Sequence, residues 1–167
     1  MIPIRIVAIP TEVAESVRTT LRAPVYGHPA HIDDLAEPAP CRHCLRLIAP
    51  HVDRAVLFTY NRFANVESLP LPGPIYIHAE SCERYPEQAG VPDELRASPR
   101  TLEAYSHGRK LRGHEYVVDG KIEPAVERLF AQAEVDYIQV CSTTAGCFTF
   151  RIERRPGSVG AESANRI

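Results

Sequence analysis

Hydrophobic residues along the chain recur in two rhythms. Residues 1–9 alternate Ile4, Ile6 and Ala8 against Arg5 and Val7, the period of a half-buried strand, and Pro10 ends it. Val13, Val17 and Leu21 then fall four apart, which predicts an amphipathic helix closing near Arg22, with the Thr11 hydroxyl capping its first turn. Residues 23–40 contain four prolines, one glycine and two histidines with no sustained period, and read as a long ordered loop or flap. Residues 55–60 form a short apolar run suited to a buried strand. In residues 74–78, Ile75 and Ile77 oppose Tyr76 and His78.

Two further strands are expected over residues 101–106 and 114–118, joined by a basic turn that contains Gly108, Arg109, Lys110, Arg112 and Gly113. Ile122, Val126, Leu129 and Phe130 share one helical face, and Pro124 sits in the first turn, where its missing N–H does little harm. Residues 137–140 and 147–153 flank a turn ending in Gly146. Phe148, Phe150 and Ile152 alternate there with Thr149, Arg151 and Glu153, which predicts a hairpin with one wet face. The pattern as a whole indicates an α+β fold: an antiparallel or mixed sheet of about six to seven strands with two helices packed on it. Residues 1–155 are expected to form a single domain. After Arg155 the composition turns to Pro, Gly, Ser, Ala and Asn, so 156–167 are expected to be a flexible C-terminal tail.

Composition narrows the classes of function. A chain of 167 residues is long enough to bury a core without covalent staples. The formal net charge of -2 gives no basic footprint, so no nucleic-acid partner is expected. No apolar stretch is long enough for a membrane span, and the start of the chain reads as a strand rather than a signal peptide. Five unevenly spaced cysteines favour thiols or metal ligands over a disulfide framework and place the protein in the cytoplasm. A homo-oligomer is left open, and so is enzymatic activity.

The candidate chemistry lies in two short spacings. Cys41 and Cys44 form a C-x-x-C pair, and His78 with Cys82 forms an H-x-x-x-C pair some thirty-odd residues on. Zinc favours thiolate and imidazole in a tetrahedral shell, and a two-residue spacer lets two thiolates converge around a turn, so Cys41, Cys44, His78 and Cys82 make a structural Cys3His zinc set. His43 is a substitute for His78, and His31 or His51 would serve in a second shell. The competing view is that these are ordinary buried thiols and hydrogen-bonded histidines of a metal-free ligand-binding or interaction module.

Other chemistries share these residues. Pro40, Cys41 and Cys44 match P-C-x-x-C, and His78, Ala79 and Glu80 match H-x-E, the two halves of a zinc deaminase signature, with Glu80 as proton shuttle. The halves stand in reversed chain order, and Cys82 would close the position a catalytic zinc leaves open. Thiol redox chemistry at Cys41 and Cys44 lacks the preceding strand that such a site uses. Cys141 and Cys147 bracket the last hairpin turn, where a nucleophile with His107 or His114 as base has no orienting third group.

Pro40-Cys41-Arg42 with Leu45, the run from Gly73 to His78, Cys82 through Tyr85, Tyr137-Ile138, Gly146-Cys147-Phe148 and Arg151 together resemble the bacterial domain-of-unknown-function family 1203. The similarity extends from about the first strand to Glu153. It implies a single-domain bacterial protein and carries over no activity, cofactor or catalytic residue.

Overall fold

The computed structural model describes residues 2–155. Its elements run β1 (Ile4–Val7), α1 (Thr11–Thr20), β2 (His31–Asp33), β3 (Ala39–Pro40), β4 (Leu47–Ile48), β5 (Ala55–Asn61), β6 (Pro72–His78), a 3-10 turn (Asp93–Leu95), β7 (Arg100–Ser106), β8 (Lys110–Val117), α2 (Ile122–Phe130), β9 (Tyr137–Ser142) and β10 (Phe148–Arg154). The fold is α+β. The strands divide into a five-stranded sheet of order β1-β10-β9-β7-β8, a three-stranded sheet of order β2-β5-β6 and a ribbon of β3 with β4, and every pairing is antiparallel.

Each helix belongs to its own core. The five-stranded sheet turns Leu102, Ala104, Ile138, Val140, Phe150 and Ile152 to one face, as a period of two requires, and α2 lays Ile122, Val126, Leu129 and Phe130 against them. Fully burying a side chain of this size contributes roughly 1.5–3 kcal/mol, so α2 is held by its apolar stripe far more than by its ends. Its N-terminus is weak: Lys121 makes no side-chain cap. Gly120 ahead of the helix has φ +74°, and a Cβ there would meet Arg96 O at 3.0 Å, so the entry to α2 needs glycine.

The second core lies between α1 and the three-stranded sheet, where Ala14 and Val17 meet Val56, Phe58, Ile75 and Ile77. Cys41, Cys44 and Ile48 from the ribbon complete it. Arg42 joins the two cores. Its guanidinium is 2% exposed and donates to Phe148 O at 2.8 Å and to Pro40 O at 2.6 Å, tying the start of β10 to the end of β3. Burial lowers its pKa to about 10, which still leaves it charged at neutral pH.

The basic turn expected to hold Lys110, Arg112 and Gly113 is shorter, because these residues form the start of β8, which pairs with β7, and four further expectations change. Thr11 makes no cap; α1 starts after Pro10 without a side-chain acceptor, and the Thr11 hydroxyl is instead 3.0 Å from His43 Nε2. Leu21 is not on the buried stripe but forms the left-handed C-cap at φ 49°. Residues 23–40 contain β2, which pairs with β5 through the backbone, so His31, Ile32 and Asp33 need no apolar period to be a strand. The face carrying Thr149 and Gln139 is dry, because Arg62 and Phe63 from the segment after β5 cover it. The expected tail, 156–167, lies outside the described residues.

Candidate metal centre

The C-x-x-C pair sits in the loop between β3 and β4. Pairing of Ala39 with Ile48 and of Pro40 with Leu47 closes that loop into a narrow turn. Cys41 N donates to Arg46 O and Leu45 N to Cys41 O, both at 2.9 Å, while Leu45 takes the left-handed region at φ 56°. The result brings both thiols to the same side, where they are buried in the second core. His78 is the last residue of β6, fixed by its register opposite Ala55, and the chain then runs without regular structure through Cys82.

The two segments meet. One ligand atom from each of Cys41, Cys44, His78 and Cys82 lies within 4.8 Å of every other. Cys41 Sγ is 3.9 Å from Cys82 Sγ, and Cys44 Sγ is 3.4 Å from His78 Nδ1. A tetrahedral zinc with ordinary bond lengths places two sulfurs about 3.8 Å apart and a sulfur and an imidazole nitrogen about 3.5 Å apart. The donor set and these two edges fit a tetrahedral thiophilic ion.

Neighbours outside the four close around the cluster. His78 presents Nδ1 to the cluster, and its Nε2 is 3.7 Å from Asp53 Oδ2, the carboxylate-imidazole arrangement that orients a ligating histidine. His78 N donates to Cys41 Sγ at 3.4 Å. From α1, Arg18 donates through Nη2 to Cys82 Sγ and through Nε to His78 O, each at 3.1 Å. His43, buried beside the turn, sets Nδ1 3.3 Å from Cys82 Sγ and is held at its other nitrogen by Thr11. His43 is thus a neighbour of the cluster rather than one of the four, while His31 and His51 are exposed and reach none of it.

Electrostatics show the strain of crowding these donors. Hydrogen bonds from Cys41 and then Cys44 hold the Cys82 thiol far below its ordinary range, and contacts with Cys41 and Cys82 push the Cys44 thiol up. The same sulfurs, Cys41 first, raise His78 to about 10. An uncharged imidazole and three thiolates are what zinc requires, so a metal entering here displaces protons.

Cys44, His78 and Cys82 also line a cleft of about 630 Å³, with Asp53, Glu80 and Arg84 among its walls. Glu80 points away from the sulfurs to Arg54, 2.7 Å from its Nη2, and its side chain is 75% exposed. No helix begins at Cys41, so the thiolate-stabilising dipole of a redox C-x-x-C motif is missing. Cys141 and Cys147 lie elsewhere. Cys141 is buried on β9 with its pKa raised to about 11 by burial, and it accepts from Arg62 Nη1 at 3.0 Å. The histidines proposed as their base are occupied away from them, His107 beside Glu67 in an exposed turn and His114 against Tyr116.

Sequence spacing singled out the four side chains that converge, but not Arg18, Asp53, the place of Thr11 or that of His43 beside them. Arg18 follows the helical residue Val17 by one position and carries no signal by itself; only the placement of α1 beside β6 brings it to the sulfur. Residues 38–154 match the model of the family described as Protein of unknown function (DUF1203), and the chain belongs to that family. The match begins after α1 and β2, later than the resemblance suggested, and includes all four donors. No curated protein and no solved structure matches the chain.

Proposed function

We propose that this member of the family holds one zinc ion through Cys41, Cys44, His78 and Cys82, and that the ion's role is structural. The observation that carries the reading is the convergence of four soft donors from two separate segments to within 4.8 Å. Bound there, zinc would lock the β3–β4 turn to the end of β6 and so fasten the second core. Its net charge with three thiolates is negative, and Arg18 stands where that charge falls on Cys82. All five cysteines are free thiols, which suits a reducing compartment such as the cytoplasm.

An enzymatic zinc is the second reading, favoured by the cleft on which the cluster opens and by Glu80 in its wall. The position of Cys82 argues for the closed site, since a fourth protein ligand leaves no place for an activated water. Cobalt substitution separates the two. A structural centre gives the spectrum of a three-thiolate tetrahedral complex in the natural protein and loses thiolate absorption in Cys82→Ser. A site whose spectrum is unchanged in Cys82→Ser has water in the fourth position and supports the enzyme. Failure of cobalt to bind at all leaves a metal-free module.

A further inference from the structure

The side of the five-stranded sheet turned away from α2 carries Glu103, Gln139 and Arg151 side by side, in register across β7, β9 and β10. The segment after β5 crosses this face. Where it meets the end of β1, a cavity of about 160 Å³ opens between Arg62, Arg84, Arg151 and the ring of Tyr60. Three guanidiniums line it and no carboxylate does. Their side chains are 14%, 29% and 17% exposed, so solvent screens them only in part.

Such a gathering of like charges is unfavourable unless it is balanced. The balance is placed outside the cavity: Glu103 is 2.7 Å from Arg62, Glu87 is 3.1 Å from Arg84, and Glu153 Oε1 is 2.8 Å from Arg151 Nε. Arg84 spends its remaining nitrogens on the backbone, Nε donating to Ile9 O at 3.1 Å and Nη2 to Ala8 O at 2.8 Å, so the open donors belong to Arg62, Arg151 and Tyr60. Arg62 Nε and Arg151 Nε are buried without a hydrogen-bond partner, the glutamate beside Arg151 lying off the N–H direction. Among the described residues, neither the terminal nitrogens of Arg151 nor the Tyr60 hydroxyl makes a hydrogen bond. Buried charged donors left unmade are costly, and an acceptor held in the space that Arg62 and Arg151 border would offset that cost.

We propose that this cavity receives an oxyanion, the carboxylate or phosphate group of a small ligand. Guanidinium forks match both groups in shape and donor spacing. A second space of about 250 Å³ adjoins the first, sharing Tyr60, Arg62 and Phe148; Leu71, Pro74 and Ile75 in its walls offer apolar contact to the remainder of such a ligand, and Glu103, paired with Arg62, is the carboxylate among them. None of the four donors lines this site, although Arg84 borders both it and the cleft beside the cluster.

Titration of the full-length protein with inorganic phosphate and with benzoate, at constant ionic strength in chloride, tests the proposal by calorimetry. At least one of the two is expected to saturate a single site, and the tighter one identifies phosphate or carboxylate as the head group. Arg151→Gln should weaken that binding by about tenfold or more and Tyr60→Phe by about threefold, each removing donors to a charged acceptor. Arg128→Gln, whose exposed side chain pairs with Glu115 far from the cavity, should leave it unchanged. Should Arg151→Gln fail to fold, Tyr60→Phe decides. Absence of saturation with both anions, or saturation that neither variant weakens, overturns the site.

Discussion

Cys41, His43 and Arg18 all approach the Cys82 sulfur within hydrogen-bonding reach. Donors aimed at a sulfur stabilise its thiolate, and a thiolate is the form that grips a metal. Asp53 acts on the other side, through the imidazole. Its Oδ2 also accepts from Ala49 N at 2.9 Å, so the carboxylate is fixed before any metal arrives. Asp53→Asn should keep the fold yet weaken zinc by about ten- to a hundredfold in competition with a chromophoric chelator, the usual effect of losing such a partner. At this scale the four donors were readable because short spacings between cysteines and histidine express a local geometry. Thr11 was misread for the opposite reason. A threonine ahead of a helix looks like a cap in any sequence, and only the tertiary approach of His43 diverts its hydroxyl.

Among the elements, α2 and the last hairpin were evident from periodicity because each has one buried face and a run long enough to display it. β2 was not. It is three residues long and mostly exposed, and backbone pairing with β5 defines it where side-chain pattern cannot. The face of β9 and β10 taken as wet has polar side chains that are buried against Arg62 and Phe63, so alternation reported the strands correctly and the solvent incorrectly. Near α2, Arg96 pairs with Glu123 and holds that carboxyl below the usual carboxylate range. A depressed acid pKa contributes stability above the unfolded value and loses it as pH falls through the folded value. Glu123→Gln should therefore cost at most about 1 kcal/mol at neutral pH, the pair being partly exposed. Its denaturation curve should converge with that of the natural protein as pH drops below about 4.3.

For the whole molecule, two cores must be kept in register. Arg42 links them. Replacing it with Met leaves Phe148 O and Pro40 O without their buried donor, at a cost of about 2–4 kcal/mol in urea denaturation, since each lost charged hydrogen bond exposes a desolvation penalty. The four-donor cluster works within the second core, where it gathers the ribbon, the end of β6 and Arg18 of α1. Stripping its metal with a chelator at neutral pH should lower the melting temperature and raise hydrogen exchange first in residues 39–48 and 78–85, while β7 to β10 keep their protection. No pattern in the sequence announced this division, because which core a strand joins depends on sheet order and not on its own period.

The most direct test is the zinc-to-protein ratio, by elemental mass spectrometry, of natural protein purified without a histidine tag or added metal. A ratio near one, falling to near zero in Cys41→Ser, is the predicted result. A folded protein carrying less than about a tenth of an equivalent, with Cys41→Ser no different in metal or in melting temperature, would contradict the account.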